Sequence, residues 1–341
     1  MDMQKAELPL VSVLINTYNY GRFIEECIER VLLQEFPQNA VEIIVVDDGS
    51  TDDTNKRIQK YLPRIRYIYS ENQGQASAYN IGAQQSQGKV ICFLDSDDYW
   101  HPHKLRSVVD TFDSDEHIDV VYHRLTVVDE SRQELGRTPP DNVSTACRLL
   151  SGEQILRSLG SSSPPSSAIC VRSACLKQIL PVPRQLRIMA DSYLHFFLPL
   201  HCHTVAMLSE SLGIYRIHEN NRFGVNPLLG DPSRIRKIKE MRQALRSVAA
   251  THPSMNEHLH RLQLEAIESE LSRIDIALDN LEGKKMLALT KALTTRPFPP
   301  DSSLSKKIKD KVALLLFALL PARVFERLRA GLRRLFPKRL A

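Results

Sequence analysis

No stretch of this 341-residue chain holds the ~20 consecutive apolar residues that a membrane-spanning helix needs. The apolar run at residues 312–320 is nine residues long, too short to cross a bilayer. Cysteine is sparse: six residues, at 27, 92, 147, 170, 175 and 202, with no C-x-x-C pair. Several sit in apolar runs, as small core residues do, and the pattern points to a reducing compartment. His201-Cys202-His203 is no metal centre either, because three adjacent residues in regular structure cannot all face one ion. The first residues, Met1 to Glu7, lack the basic and apolar regions of a signal peptide. A Gly-rich, Lys/Arg-containing phosphate loop is missing after Ile15, and no internal repeat stands out.

What the chain does have is acid at the ends of apolar strands. Residues 90–94 are apolar and read as a buried strand, and Asp95, Asp97 and Asp98 follow at once. Like charge packed at a strand tip is unfavourable unless a cation or ligand donors compensate it. Hard oxygen ligands at this spacing suit Mg²⁺ or Mn²⁺ bridging to a phosphate-bearing substrate. A β-branched run at residues 41–46 leads into Asp47-Asp48-Gly49-Ser50-Thr51-Asp52. A first strand at residues 11–15 leads into Asn16-Thr17-Tyr18-Asn19. Helical patterns over about 23–34, 53–61 and 77–85 separate the strands. This alternation predicts βαβ units and a mostly parallel sheet, with ligands bound beyond the carboxyl ends of its strands.

Four motifs occur in order: Asn16 to Asn19; Val46 to Asp52; Asn72-Gln73-Gly74 with Asn80-Ile81-Gly82; and Phe93 to Asp98. Over residues 9–220 the chain resembles the inverting family 2 nucleotide-sugar glycosyltransferases of GT-A fold. The resemblance implies that Asp48 accepts from a pyrimidine imide, that Asn16 also contacts the base, and that Asp97, the last Asp of a DXD element, ligates the cation. It implies that Asp95 touches the ribose or the metal through water. Asp98 is expected to support the loop. About ninety residues on, Asp191 stands at the position of the base that deprotonates the acceptor, with Ala190 in place of the family's usual Glu. Tyr215-Arg216-Ile217-His218 resembles the family's Tyr-Arg-x-His element, which places His218 at the metal or diphosphate with Arg216 assisting. Tyr18 and Asn80 complete the expected donor side. Tyr79 departs from the pattern, because many relatives carry Arg there and tyrosine offers no fixed positive charge.

Each of these residues also has a plainer reading: a turn for Asp47-Asp48-Gly49, a helix cap for Asp191, a structural imidazole for His218. Ser161–Ser167 is a Ser/Pro stretch that either offers hydroxyls to a sugar or is simply a turn.

The C-terminal third changes character. Apolar residues at helical spacing across 233–296 predict a helical hairpin, packed on the catalytic domain or on another subunit. Residues 301–341 carry 11 Lys/Arg against 3 Asp/Glu, whereas the whole chain is +5, so a basic tail follows a slightly acidic remainder. Val324, Phe325, Leu328, Leu332, Leu335 and Phe336 share one helical face, with arginines on much of the rest. Such a helix suits an anionic membrane surface; nothing else supports nucleic acid.

The expectation is an α/β GT-A domain, Rossmann-like, over residues 1–230. Its donor part covers about 9–110 and its acceptor part 111–230. A helical extension follows over 231–300 and a membrane-associating tail over 301–341. The expected activity is transfer of a sugar, with Mn²⁺ or Mg²⁺, from a nucleotide-sugar donor to a cell-envelope or lipid-linked glycan. The expected place is cytoplasmic, at the inner face of the plasma membrane, and a homo-oligomer is compatible with the helical extension. The alternatives are a non-catalytic sugar-nucleotide-binding scaffold and a nucleotidyltransferase, which the missing phosphate loop disfavours.

Overall fold

The computed structural model describes residues 10–136, 139, 147–158, 164–188, 190–218, 232–252, 256–281, 284–295 and 304–319. The strands are β1 (Val11–Thr17), β2 (Val41–Asp47), β3 (Arg66–Tyr69), β4 (Val90–Asp95), β5 (Tyr99–Trp100), β6 (Ile118–Val128), β7 (Arg148–Leu150), β8 (Ile169–Arg172) and β9 (Thr204–Arg216). The helices of the sheet-bearing part are α1 (Gly21–Leu32), α2 (Thr54–Ile58), α3 (Gln75–Gln85), α4 (Lys104–Ser114), α5 (Gly152–Ser158), α6 (Ser173–Leu176) and α7 (Ala190–Phe197). Four more follow: α8 (Pro232–Thr251), α9 (Glu257–Leu281), α10 (Lys285–Thr294) and α11 (Leu304–Leu319).

All nine strands join one sheet in the order β3-β2-β1-β4-β8-β6-β9-β5, with β7 paired to β9. β3, β2, β1 and β4 run parallel, and β8 enters antiparallel beside β4. The chain winds outward from β1 through β2 to β3, then returns to place β4 on the other side of β1. That reversal opens a crevice at the carboxyl ends of β1 and β4, where ligands of such sheets bind.

One face of the sheet buries Val11, Val13 and Ile15 against Ile24, Cys27, Ile28 and Val31 of α1 and Leu105, Val108 and Phe112 of α4. The apolar stripe of α1 has helical period, so its burial follows from its spacing. On the other face Ile44 and Val46 meet Ala78 of α3.

The described residues divide into two compact units. The first runs to Ile155 and resumes from Pro164 to His218; the second comprises α8 to α11 with residues 156–158. The second unit contains helices where the hairpin was expected, and its core sets Ile276 and Ala277 of α9 against Ala288 and Ala292 of α10 and Leu314 and Ala318 of α11. Sixteen residues of the expected basic tail thus form a packed helix, α11, while the amphipathic segment 323–336 lies outside the described residues. No helix among the described residues is long and apolar enough to cross a membrane.

Candidate active site

The site begins with strand register. Asn16, next to last in β1, lies directly across from Asp95, last in β4. The buried Asn16 Oδ1, Thr17 Oγ1, Asp95 Oδ1 and Ser96 Oγ all lack a hydrogen-bond partner within the protein. Buried polar atoms are rarely left so. A group of four at two adjoining strand ends marks a place built for a ligand.

Asp95, Asp97 and Asp98 present ligand oxygens within 4.8 Å of one another. Their mutual repulsion is visible in their acidity. Burial, then the Asp97 charge, pushes Asp95 up to about 7. Burial, then Asp97 and Asp95, holds Asp98 well above the ordinary carboxylate range. All-oxygen donors with an unpartnered carboxylate oxygen among them fit a hard divalent cation.

Two serines hold the triad in place. Ser166 Oγ donates to Asp95 Oδ2, and Ser167 Oγ donates to Asp98 Oδ2 at 2.6 Å. Ser167 Oγ also accepts the Asp95 backbone N–H at 3.1 Å, and its carbonyl accepts Trp100 Nε1–H at 2.9 Å. Trp100 is fully buried in β5, and the next helix starts at Lys104. The hydroxyls of Ser166 and Ser167 therefore face the acidic cluster; Ser161 to Ser163 lie outside the described residues. A Ser/Pro stretch is a generic signal, and only its position beside β4 reveals this task.

The end of β9 closes the other side. The Arg216 backbone N–H donates to Asp98 Oδ1 at 3.0 Å. The Arg216 guanidinium pairs with Glu26 Oε2 at 2.8 Å and lies over the rings of Phe23 and Tyr99. His218 Nε2 lies 3.0 Å from Asp97 Oδ2. The imidazole is walled by Tyr20 and Phe23, with ring centroids at 5.4 and 4.6 Å. The fold thus brings His218 to Asp97 across 121 residues of chain, and the start of α1 supplies its walls.

Asp48 and Asn80 are fastened to backbone. Asp48 Oδ1 and Oδ2 accept the N–H groups of Gln73 and Gly74, each at 2.8 Å. This ties the end of β2 to the start of α3. Gly49 and Gly74 serve the same junction with φ of +82° and +93°. A Cβ on Gly74 would meet the Arg187 backbone at 2.5 Å, so only glycine fits. Asn80 Nδ2 donates to the Val182 carbonyl at 2.8 Å, and its Oδ1 accepts the Val182 N–H at 2.7 Å. Tyr18 is half-buried in the loop after β1.

Asp191 occupies the first turn of α7, and its Oδ1 accepts the Ser192 N–H at 2.8 Å. The helix start is fixed from α3, because Gln75 Oε1 accepts the Ala190 N–H at 2.9 Å. Gln75 Nε2 in turn donates to the Tyr79 hydroxyl at 3.0 Å. The charge of Asp191 reaches the triad: after burial and Asp97, it adds to the upward push on Asp95. Burial, then Asp95 and Asp191, likewise raises buried Tyr79. Asp191 and the acidic triad therefore belong to one electrostatic site, although some ninety residues separate them in sequence.

Residues 12–159 match the model of glycosyl transferase family 2. An uncharacterised glycosyltransferase from Nostoc sp. is 34% identical over 220 residues, 62% of this chain and 66% of that protein. The chain belongs to glycosyl transferase family 2. A putative teichuronic acid biosynthesis glycosyltransferase, TuaG of Bacillus subtilis, is 44% identical over 101 residues. That match covers 28% of this chain and 39% of the relative, so the chain spans well under two thirds of some relatives. Family membership thus rests on the part of the chain that carries the strand-tip motifs.

The fold agrees with solved GT-A structures. TarS of S. aureus (residues 1–349) in complex with UDP-GlcNAc superposes with a TM-score of 0.59 at 21% identity, over 91% of this chain and 81% of that one. The mannosyltransferase PcManGT from Pyrobaculum calidifontis, in complex with GDP-Man and Mn²⁺, gives 0.59 at 18% identity, over 97% and 88%.

Proposed function

We propose that this family 2 protein is a metal-dependent inverting glycosyltransferase. It moves a sugar from a nucleoside-diphosphate sugar, first of all a UDP-sugar, to a hydroxyl of a cell-envelope or lipid-linked glycan. The observation that supports it most is the buried acidic triad at the strand ends with Asp191 in electrostatic reach.

Asn16, Tyr18, Asp48, Asn80, Asp95 and Arg216 form the donor side in this reading, Asp48 and Asn80 by shaping its backbone and Arg216 through its backbone N–H on Asp98. Asp97 and His218 hold Mn²⁺ or Mg²⁺, which when bound supplies Lewis acidity to a departing diphosphate. Asp191 accepts the proton of the acceptor hydroxyl. The hydroxyl oxygen then bonds to the anomeric carbon as the bond to the diphosphate oxygen breaks. The electron pair leaves with the nucleoside diphosphate, and the configuration inverts.

The acceptor class is supported by the relative in teichuronic acid synthesis and by the surface of the helical unit. Ile308, Val312 and Leu316 of α11, four residues apart, are 54%, 48% and 37% exposed. They lie in a segment rich in lysine and followed by further arginines. Together these suit peripheral attachment to the anionic inner face of a plasma membrane.

The test is a thermal-shift screen of sugar nucleotides with and without Mn²⁺, followed by product analysis with candidate acceptors. A true donor raises the unfolding temperature as its concentration passes its dissociation constant. Release of free nucleoside diphosphate with sugar transfer supports the reading. Pyrophosphate release would favour a nucleotidyltransferase, and donor binding without turnover across the acceptors a scaffold.

A further inference from the structure

Arg22 belongs to none of the sequence motifs, yet the fold delivers it to the acidic site. Its Nη2 lies 3.2 Å from His218 Nδ1, and His218 Nε2 lies 3.0 Å from Asp97 Oδ2. A guanidinium has only donors, so Arg22 donates and Nδ1 accepts. The proton of the neutral ring is therefore on Nε2, which donates to Asp97. Arg22, His218 and Asp97 form one line of hydrogen bonds from a solvent-facing rim to the triad.

The other contacts of Arg22 are of the kind a ligand can displace. Its guanidinium lies over the Phe23 ring at 4.4 Å and reaches Glu130 Oε1 at 3.1 Å. The Arg22 and Glu130 side chains are 43% and 50% exposed, and an ion pair so exposed is worth little.

Neighbouring cations are committed elsewhere. Arg216 pairs with Glu26 between two aromatic rings, its side chain 10% exposed. Lys104 is fully buried with Nζ 3.3 Å from the Trp100 ring centroid. Tyr79, where a positive charge was expected, is a buried neutral phenol against Phe93. A released nucleoside diphosphate carries more negative charge than one divalent cation neutralises, and the planar fork of arginine matches phosphate oxygens in pairs.

We propose that Arg22 binds the diphosphate of the nucleotide donor and of the nucleoside diphosphate released, taking the part that Tyr79 cannot play. The assignment rests on the donor-site reading above. On binding, phosphate oxygens replace Glu130 and the imidazole as acceptors of Arg22; the freed Nδ1 can then carry the ring proton, which leaves Nε2 unprotonated on the side of Asp97 where a metal would be held.

The experiment is calorimetric binding of UDP and of uridine, in Mn²⁺, to the full chain and to Arg22→Ala, Arg22→Lys and Glu130→Gln. Losing a charged hydrogen-bond donor should weaken UDP about 10- to 100-fold in Arg22→Ala and leave uridine within about twofold. Arg22→Lys, which keeps the charge but loses the fork, should fall between. Glu130→Gln, which removes the competitor, should tighten UDP. Equal UDP affinity in wild type and Arg22→Ala overturns the proposal, as does an equal loss of UDP and uridine, which marks a structural role. If Arg22→Ala does not fold, Arg22→Lys carries the same comparison of UDP with uridine. Wild-type protein that binds neither UDP nor GDP with Mn²⁺ overturns the donor-site reading and this assignment together. UDP binding by wild type with no effect of Arg22 overturns this assignment alone.

Discussion

The two units of this chain handle charge in opposite ways. At the strand ends of the first, Asp95, Asp97 and Asp98 crowd within 4.8 Å, held by serine hydroxyls, a backbone amide and His218. Two of them are pushed upward in pKa by burial and by each other. In the helical unit four acids each meet a base: Asp275 with Lys239 at 2.5 Å, Glu270 with Arg242 at 2.7 Å, Asp279 with Lys291 at 2.5 Å, and Glu268 with Arg246. Matched pairs tie helix to helix, whereas clustered like charges weaken the fold until something binds. The first unit therefore concentrates like charge at one place, whereas the second pairs opposite charges between its helices. The contrast extends to apolar surface, since six of the eleven exposed large hydrophobic side chains among the described residues lie on α10 and α11.

The largest effect expected on this contrast is at Asp191. Asp191→Asn should lower turnover by about 10²–10⁴, the usual range for loss of a general base, and leave donor binding intact in calorimetry. A near-normal rate would remove Asp191 from the chemistry, and loss of folding would mark it as a helix-start residue. The second largest lies in the helical unit. Leu314→Ala should destabilise by about 2–5 kcal/mol, as buried Leu→Ala changes do, because Leu314 anchors α11 on α9 and α10. Chemical denaturation should show the loss, with UDP affinity unchanged at low denaturant. A parallel loss of UDP affinity would show that the two units do not act separately.

A smaller effect is set by pH. His123 is fully buried, with Nδ1 at 2.9 Å from the Arg124 carbonyl, and burial followed by the Lys104 charge depresses its pKa to about 3. The unfolded chain takes up a proton near pH 6.5, which the folded protein resists. Stability from this group is therefore complete above about pH 6.5 and is lost as pH falls toward 3, by about 1.4 kcal/mol per pH unit within that window. His123→Gln should flatten that part of the stability–pH curve; an unchanged slope would show that another group sets it. The smallest thermodynamic effect belongs to the exposed stripe. Ile308→Ser, Val312→Ser and Leu316→Ser should each change stability by no more than about 0.5 kcal/mol. Together they should abolish co-sedimentation with anionic vesicles. Undiminished vesicle binding would take this face out of the membrane reading.

Much of the first unit was legible locally. β1, β2 and β4 lie where apolar runs predict them, α1 where apolar spacing does, and α3 over the helix expected at 77–85. The polar residues that end those strands are the ones now gathered at the crevice. β3 was not legible, because Arg66–Tyr69 alternates weakly and is a strand only by pairing with β2. β5, two residues long, exists only because β9 pairs with it. Trp100 illustrates the consequence: nothing in its local sequence shows that its indole N–H is claimed by the Ser167 carbonyl, 67 residues away.

The site divides along the same line. Residue types and short spacings were enough to single out Asp95, Asp97, Asp48, Asp191 and His218, because a strand ending in carboxylates or a Tyr-Arg-x-His run is a local pattern. Which of them meet was decided by the tertiary structure. So was the setting of Ser166 and Ser167 on the triad, of Arg22 on His218, and of Asp48 and Asn80 on neighbouring backbone. These contacts join residues 26 to 196 positions apart. Period and propensity act over a few residues, whereas partners so distant are brought together only when the sheet closes and buried polar groups must find the nearest acceptor.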